Sequence, residues 1–269
     1  MDAARAFLET AQPTTGRAVG YHLVSVGLLD STALIPRIYT RLVTERQEGR
    51  IPWDWLVDEA SGLEQVATWT GLDELFTHYA RHYHRDPWQT QPRRVEVWSE
   101  KGTVRGVLRP MLDRYAVGFR SAGGWASWPV VHEAATSLGS QPLHIIYVGD
   151  WDPSGLRMSE EDLRARFAWF AEHGYGGPDV TIQRVALTQK DIQDPALPKA
   201  LEPKKLDPNR AWFIDYTSSS KCWELDALDP NVLRARVEAA IQKLIDWPAW
   251  KKSERKERRE RRQLGTLTQ

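Results

Sequence analysis

Cysteine is almost missing from this chain. Cys222 stands alone among 269 residues, which excludes an intrachain disulfide and any cysteine-rich zinc site. A single free thiol fits a reducing compartment. Long apolar runs are missing too: none approaches the roughly 20 residues of a membrane-spanning helix. The first residues carry no apolar signal core, so a cytoplasmic location without membrane contact is expected. Net charge is also absent. Lys plus Arg and Asp plus Glu each total 36, so overall charge does not advertise a nucleic-acid binder. No internal repeat is visible, which argues against a solenoid or propeller.

What is present is unevenly placed. The segment 251–262 (KKSERKERRERR) holds eight basic and three acidic residues, +5, which leaves −5 on the rest of the chain. Such a run reads either as a solvated helix or as a flexible arm that contacts phosphates. Thirteen tryptophans are many, but several fall at the edges of expected strands and helices, where burial accounts for them. The length allows one or two domains with a sizeable core.

The most informative segment is Gly149-Asp150-Trp151-Asp152-Pro153-Ser154-Gly155, directly after the apolar run Leu143-His144-Ile145-Ile146-Tyr147-Val148. It sets two carboxylates at the mouth of a buried strand, with Pro and Gly turning the chain away. Close acids repel, and a fold that gathers them usually neutralises them with a cation. Hard oxygen ligands favour Mg2+, with Mn2+ as its substitute. The same residues also make an ordinary surface turn. A third acid from another strand decides between the two, and Glu100 is the candidate. Residues 94–99 read as a strand ending in Glu100-Lys101-Gly102. A helix over 103–115 follows, with Val104, Val107, Leu108, Met111 and Leu112 at helical spacing. A short strand at 116–120, a turn-rich stretch through Gly123-Gly124, and a helix over 129–138 lead into the Asp150 strand. This order describes an α/β fold with a parallel, doubly wound sheet flanked by helices. Such sheets bind ligands beyond the carboxyl ends of their strands.

The first ninety residues differ. Helices are expected over 2–11, over 17–29 with Val19, Leu23 and Val26 on one side, and after an Asp30-Ser31 cap. The third carries Leu34, Ile38, Leu42 and Val43 and is closed by Gly49. Residues 51–57 read as an extended wing. Three helices and a wing form a winged-helix pattern, whose third helix can enter a DNA groove. More helix is expected over 63–83, and 86–92 reads as a linker. The expected division is therefore a mainly helical winged-helix-like DNA-binding domain over 1–92, an α/β metal-binding domain over 93–248 and a basic tail over 249–269.

Glu100-Lys101 after one strand, Gly123-Gly124 after the next and Asp150-x-Asp152-Pro153-x-Gly155 after the third resemble a Toprim domain, over roughly 93–246. The DxDPxG form is most similar to the A subunit of type IIB topoisomerases and its meiotic relative. The segment 223–228 resembles the acidic helix-start stretch near the end of those domains. A winged helix before Toprim is also their order. The resemblance implies Mg2+ held by Glu100, Asp150 and Asp152 for phosphodiester chemistry on DNA. It further implies a homodimer in which each tyrosine works beside the other chain's acids, with a separate ATPase or regulatory subunit. Those proteins carry their catalytic tyrosine in Arg-x-x-aromatic-Tyr. Arg17-Ala18-Val19-Gly20-Tyr21 matches the Arg and Tyr spacing, with Gly20 in place of the aromatic residue. By that match Tyr21 is the nucleophile, Arg17 contacts phosphate, and the product is a 5′-phosphotyrosyl DNA end. The residues themselves leave another reading open, in which Tyr21 is a semi-buried helix aromatic and Arg17 a solvent-facing cation.

Other candidates carry less. Tyr39 is a second phenol, read as helix packing. His78 and His82 have the i,i+4 spacing of a metal pair but lack an accompanying acid, so an aromatic-basic helix face is expected. Glu96 falls on the same strand face as Glu100 and could assist a metal or face solvent. His132-Glu133 is read as structural. Glu224 and Asp226 could extend the acidic cluster, with Asp207 and Asp215 as weaker additions. Two rivals to covalent cleavage stand beside it: a Toprim nuclease using metal-activated water, and a non-catalytic DNA-binding partner of a larger complex.

Overall fold

The computed structural model describes residues 1–57, 66–121, 128–137, 141–175, 179–195, 197–198, 200–201 and 207–267. Its N-terminal helices form because each has one apolar stripe to bury. Helix α1 (Asp2–Ala11) turns Ala4, Phe7, Leu8 and Ala11 inward. A two-residue strand, β1 (Thr14–Thr15), leads to α2 (Gly16–Ser25), which the Thr15 hydroxyl caps by accepting the Ala18 N–H at 3.0 Å. Helix α3 (Ile35–Gln47) closes a small core of Leu8, Val19, Leu23, Leu42, Ile51 and Leu56. Asp30-Ser31 does not cap it directly, because a 3-10 turn over Thr32–Leu34 intervenes.

The expected wing is not a hairpin. Residues Trp53–Trp55 make a 3-10 turn, and β2 (Leu56–Val57) pairs in parallel with β1. A parallel pair cannot come from a tight turn, so this segment folds back onto the start of α2 instead of projecting. Helix α4 (Leu72–His82) is shorter than expected and leaves Leu72, Phe76 and Tyr79 exposed; 63–65 lie outside the described residues. The stretch read as a linker is anchored. Within it Pro87–Thr90 forms a 3-10 turn, and the fully buried Trp88 donates its indole N–H to the Tyr115 carbonyl at 2.8 Å.

Beyond this point the chain alternates strand and helix: β3 (Arg94–Ser99), α5 (Thr103–Tyr115), β4 (Gly118–Ser121), α6 (Trp128–Ser137) and β5 (Leu143–Val148). Next come α7 (Pro153–Arg157), a π turn, α8 (Leu163–Glu172), β6 (Val180–Ala186), α9 (Gln189–Ile192), α10 (Arg210–Thr217) and α11 (Pro230–Leu244). All pairings in this sheet are parallel, in the order β4-β3-β5-β6. Every residue of β5 is buried, as a central parallel strand requires. Its alternation splits the core. Val95, Val97, Ile146 and Val148 pack under α5 and α11, whereas Trp98, Ile145 and Tyr147 pack under α6 and α8. The fold is thus α/β with helices on both sheet faces, as the sequence pattern implies. The Gly123-Gly124 turn lies outside the described residues.

The β1–β2 pair of the N-terminal part sits directly on α5. A side chain at Gly106 would begin 2.4 Å from a Val57 methyl, so only glycine lets β2 approach this closely. Arg234 of α11 ties the same seam by donating to the Ala11, Pro13 and Val107 carbonyls at 2.8, 3.0 and 3.2 Å. The basic tail is α12 (Trp247–Leu267), a docked helix and not a loose arm. Trp250 and Ser253 face inward, and Glu260 accepts from Tyr83 at 2.7 Å and Arg85 at 3.1 Å. Glu257 and Glu260 are thereby turned toward the protein, while Lys252, Arg255, Arg259 and Arg262 stay exposed. Among the described residues no helix is long and apolar enough to cross a membrane.

Candidate active site

Strands β3 and β5 are neighbours, and the chain leaves them toward opposite edges of the sheet. The crevice beyond their carboxyl ends is the switch point where such sheets take ligands. Glu100 follows β3, and Asp150 and Asp152 follow β5, so the topology delivers all three acids to this crevice.

Two of them converge. Glu100 Oε1 accepts the Asp150 backbone N–H at 3.1 Å. Asp152 is the N-cap of α7, with Pro153 at the first helical position and Oδ1 accepting the Gly155 N–H at 2.7 Å. A methyl group built on Gly155 would lie 3.1 Å from Glu100 Oε1, 3.1 Å from Asp152 Oδ1 and 2.8 Å from the Asp150 carbonyl. The glycine is there to make room for two carboxylates, not to turn the chain.

Asp150 points elsewhere. Its Oδ1 accepts from Lys101 Nζ at 2.9 Å and from the Leu225 N–H at 2.7 Å. Lys101 also reaches Asp226 Oδ2 at 3.3 Å, and Asp226 Oδ1 accepts the Thr15 hydroxyl at 2.6 Å. The 223–226 segment is held in place by a two-residue bridge in which Trp151 and Trp223 exchange backbone hydrogen bonds at 2.8 and 2.9 Å. Beneath it, the half-buried Arg184 donates to the Asp150 carbonyl at 2.8 Å and the Gly149 carbonyl at 3.2 Å, clamping the loop that carries both aspartates.

Burial governs the electrostatics. It pushes the Glu100 carboxyl up to about 8, with the charges of Asp150 and Asp152 adding to the rise. Asp152 is also raised by burial, against the opposing hydrogen bond from Gly155. Burial works against the Lys101 ammonium too, but Asp150 and Asp226 more than offset it and its pKa rises.

Among the described residues no group of three or more His, Cys, Asp or Glu side chains is placed to hold a metal ion. Mg2+ does not need one, because one or two carboxylates plus substrate oxygens and water complete its shell. Glu100 and Asp152 fit that role. They converge, among the described residues each commits only one oxygen to hydrogen bonds, and burial together with the neighbouring Asp150 and Asp152 charges displaces Glu100 toward its neutral form. Asp150 stands beside them with one oxygen engaged by Lys101.

Tyr21 and Arg17 join the same cluster. Tyr21 is 3 % exposed. Its hydroxyl lies against Glu224 and Arg17, which form an ion pair with each other. Burial and the Glu224 charge raise this phenol well above its ordinary range, with Arg17 opposing. Tyr39 is more open, at 38 % exposed. It borders a cleft of about 500 Å³ whose walls include Arg17, Lys101 and Asp226. Burial raises its pKa as well, and Arg17 opposes that.

The remaining candidates separate cleanly. Glu224 and Asp226 extend the cluster. Asp207 accepts from Ser154 at 3.3 Å and raises the pKa of its neighbour Asp152, whereas Asp215 is exposed and apart. Glu96 neither assists a metal nor faces solvent; it is buried, accepting from Trp98 at 2.7 Å and from Arg120 at 3.1 Å. Its alternation puts it inside the sheet layer, while Glu100 lies past the strand end. His78 and His82 stack at 4.2 Å, His132 packs on Phe170, and Glu133 pairs with Arg120.

Sequence reasoning assigned no role to Lys101, Arg184 or Thr15. An arginine within strand β6, between buried Ile182 and Ala186, was a usable signal, since a charge in a sheet interior needs partners. Thr15 and Lys101 gave none, because their partners lie 211 and 125 residues away. No family model, curated protein or solved structure matches the chain.

Proposed function

We propose that this chain cleaves DNA strands by metal-assisted phosphodiester chemistry in the crevice beyond β3 and β5. The observation that carries the proposal is the convergence of Glu100 and Asp152 over Gly155, two half-buried acids at the ligand-binding end of a parallel sheet. Glu100 and Asp152 would hold Mg2+ or Mn2+, with Asp150 beside them. When bound, such an ion offsets charge on a phosphoryl oxygen and activates the attacking group. Arg17, at the cleft wall, holds a nonbridging phosphate oxygen. A tyrosine hydroxyl then attacks phosphorus in line, its proton leaves to a neighbouring carboxylate such as Glu224, and the 3′ oxygen departs with the electrons of the broken P–O bond and takes up a proton from water. The product is a 5′-phosphotyrosyl end and a free 3′-hydroxyl. Tyr21 lies beside Glu224 and Arg17 of its own chain. A homodimer and a separate ATPase subunit belong to the resemblance and are not required by this chemistry.

A second reading has a specific observation behind it. Both phenols are raised in pKa and Tyr21 is buried, which favours attack by metal-activated water. Incubation of supercoiled DNA with the protein and Mg2+ or Mn2+, followed by mass spectrometry of the protein, separates the two. Covalent chemistry gives a nucleotide adduct on Tyr21 that Tyr21→Phe removes. An adduct on Tyr39 moves the nucleophile to the open cleft. Full cleavage by the double Tyr21→Phe/Tyr39→Phe variant leaves water as the nucleophile, and no cleavage by wild type with either ion sinks the enzyme reading.

The outer face of α12, on the amino-end side of the sheet and away from the crevice, is an additional backbone-contacting surface in this proposal. Replacing Arg255, Arg259 and Arg262 by Gln is expected to weaken duplex binding uniformly across sequences. The slope of log K against log salt should flatten by about 0.9 for each phosphate the helix no longer neutralises. An unchanged slope in fluorescence-anisotropy titrations removes α12 from the DNA-binding surface.

A further inference from the structure

We infer that Lys101 supplies the second cation of this site, so that a single divalent ion on Glu100 and Asp152 completes it. The inference rests on the phosphodiester-cleaving proposal above and adds to it a metal count. In two-metal sites two ions about 3.5–4 Å apart share the surrounding acids and clamp the reacting phosphate from both sides. Here the acids divide into two groups with different needs. Asp150 and Asp226 already share a cation, the Lys101 ammonium, at 2.9 and 3.3 Å. Each is also fixed by a second donor, Leu225 N–H at 2.7 Å on Asp150 and the Thr15 hydroxyl at 2.6 Å on Asp226. Those contacts define a seat for one positive charge, and the seat is filled.

Glu100 and Asp152 have no ion-pair partner among the described residues, although they meet over Gly155. This second group is where a divalent ion gains most. An ion entering between Asp150 and Asp226 would first have to evict a lysine held by two carboxylates in a mostly buried site. The displaced ammonium would then lie close to a doubly positive ion in a medium that screens poorly. A lysine suits the seat because its compact charge rides on a flexible stem. Lys101 also lines the 500 Å³ cleft together with Arg17, Tyr39 and Asp226, the space a phosphate would enter in this proposal. Its part is electrostatic, and no proton leaves it.

The test counts ions directly. The metal-free full chain is titrated with Mn2+ at pH 7.5, with bound ion read by calorimetry and by the loss of the free Mn2+ paramagnetic resonance signal. Wild type is expected to bind one Mn2+ per chain. Lys101→Met, which keeps the stem and drops the charge, should bind two, the second on the vacated Asp150 and Asp226. Lys101→Arg, which keeps the charge, should bind one. If Lys101→Met folds only with metal present, the same count is read while it refolds across rising Mn2+. Two ions on wild type overturn the inference and leave the cleavage proposal standing. One ion on both wild type and Lys101→Met also overturns it. No Mn2+ on wild type overturns the metal site itself and this inference with it.

Discussion

Glu100→Gln should raise the melting temperature of the metal-free protein by several degrees and sharply reduce its metal-dependent DNA cleavage. Both effects come from one carboxyl group. In the folded chain it is pushed up to about 8 by burial and by Asp150 and Asp152, against 4.5 for an ordinary glutamate. Between those values the folded state holds a proton that the unfolded state has lost. Stability is therefore highest below about pH 4.5, as far as this group decides it, and falls as pH rises through 8. A tenfold change in proton affinity is worth about 1.4 kcal/mol, so at pH 7.5 the cost is on the order of a few kcal/mol. Asp152, also raised, pulls in the same direction. The amide of Gln removes the charge while its oxygen can still accept the Asp150 N–H. Melting curves from pH 5.5 to 8.5 should fall for wild type and flatten for the variant. Added Mg2+ should reverse the ranking, stabilising wild type alone. Cleavage should drop about 10²–10³-fold or more, the usual loss when one electrostatic element of a transition state is removed. A variant that melts lower than wild type at pH 8, metal-free, would show that Glu100 is not held at an electrostatic cost.

That cost explains which features could be read from the sequence. The β3–α5–β4 and β5 elements were legible because their signals are local: period-two runs such as 94–99, the α5 stripe and the unbroken apolar run of β5. Glu100, Asp150 and Asp152 were legible as a set for the same reason. An acid just past a buried strand has to emerge at the sheet's carboxyl end, and the strand order of a doubly wound sheet makes those ends neighbours. The 51–57 segment misled because Ile51, Pro52 and Trp53 suit an extended edge as well as a 3-10 turn. What decides between them is the parallel pairing of Leu56 with Thr14, which no local pattern encodes. Trp88 misled similarly: Pro87 and Pro92 mark a linker, while the buried indole pins it to Tyr115. The division of the acids was invisible for a deeper reason. Whether Asp150 turns to a metal or to Lys101 depends on where Asp226 and Leu225 lie, and that is set by the Trp151–Trp223 bridge across 72 residues of chain.

Gly155→Ala should destabilise the protein and weaken metal binding together, although it replaces glycine by the best helix former within a helix. By propensity alone the change would gain up to about 1 kcal/mol. The new methyl, however, would sit 2.8 Å from the Asp150 carbonyl oxygen, closer than carbon and oxygen tolerate. That oxygen is not free to retreat, since Arg184 grips it at 2.8 Å and the adjoining Gly149 carbonyl at 3.2 Å. Relief must come from the other neighbours, Glu100 Oε1 and Asp152 Oδ1, each 3.1 Å away, and moving them apart is what an ion site tolerates least. Overpacking of this kind costs about 1–3 kcal/mol. Disturbing the residues that aim metal ligands commonly costs about 10–100-fold in affinity. Denaturant melts and Mn2+ titrations of Gly155→Ala check both, with Gly265→Ala as the control. Gly265 lies in α12 with nothing near its added methyl, so that variant should match or exceed wild-type stability. If Gly155→Ala also matches wild type in stability and in Mn2+ affinity, the carboxylates do not meet over this residue, and the site has no place to hold its ion.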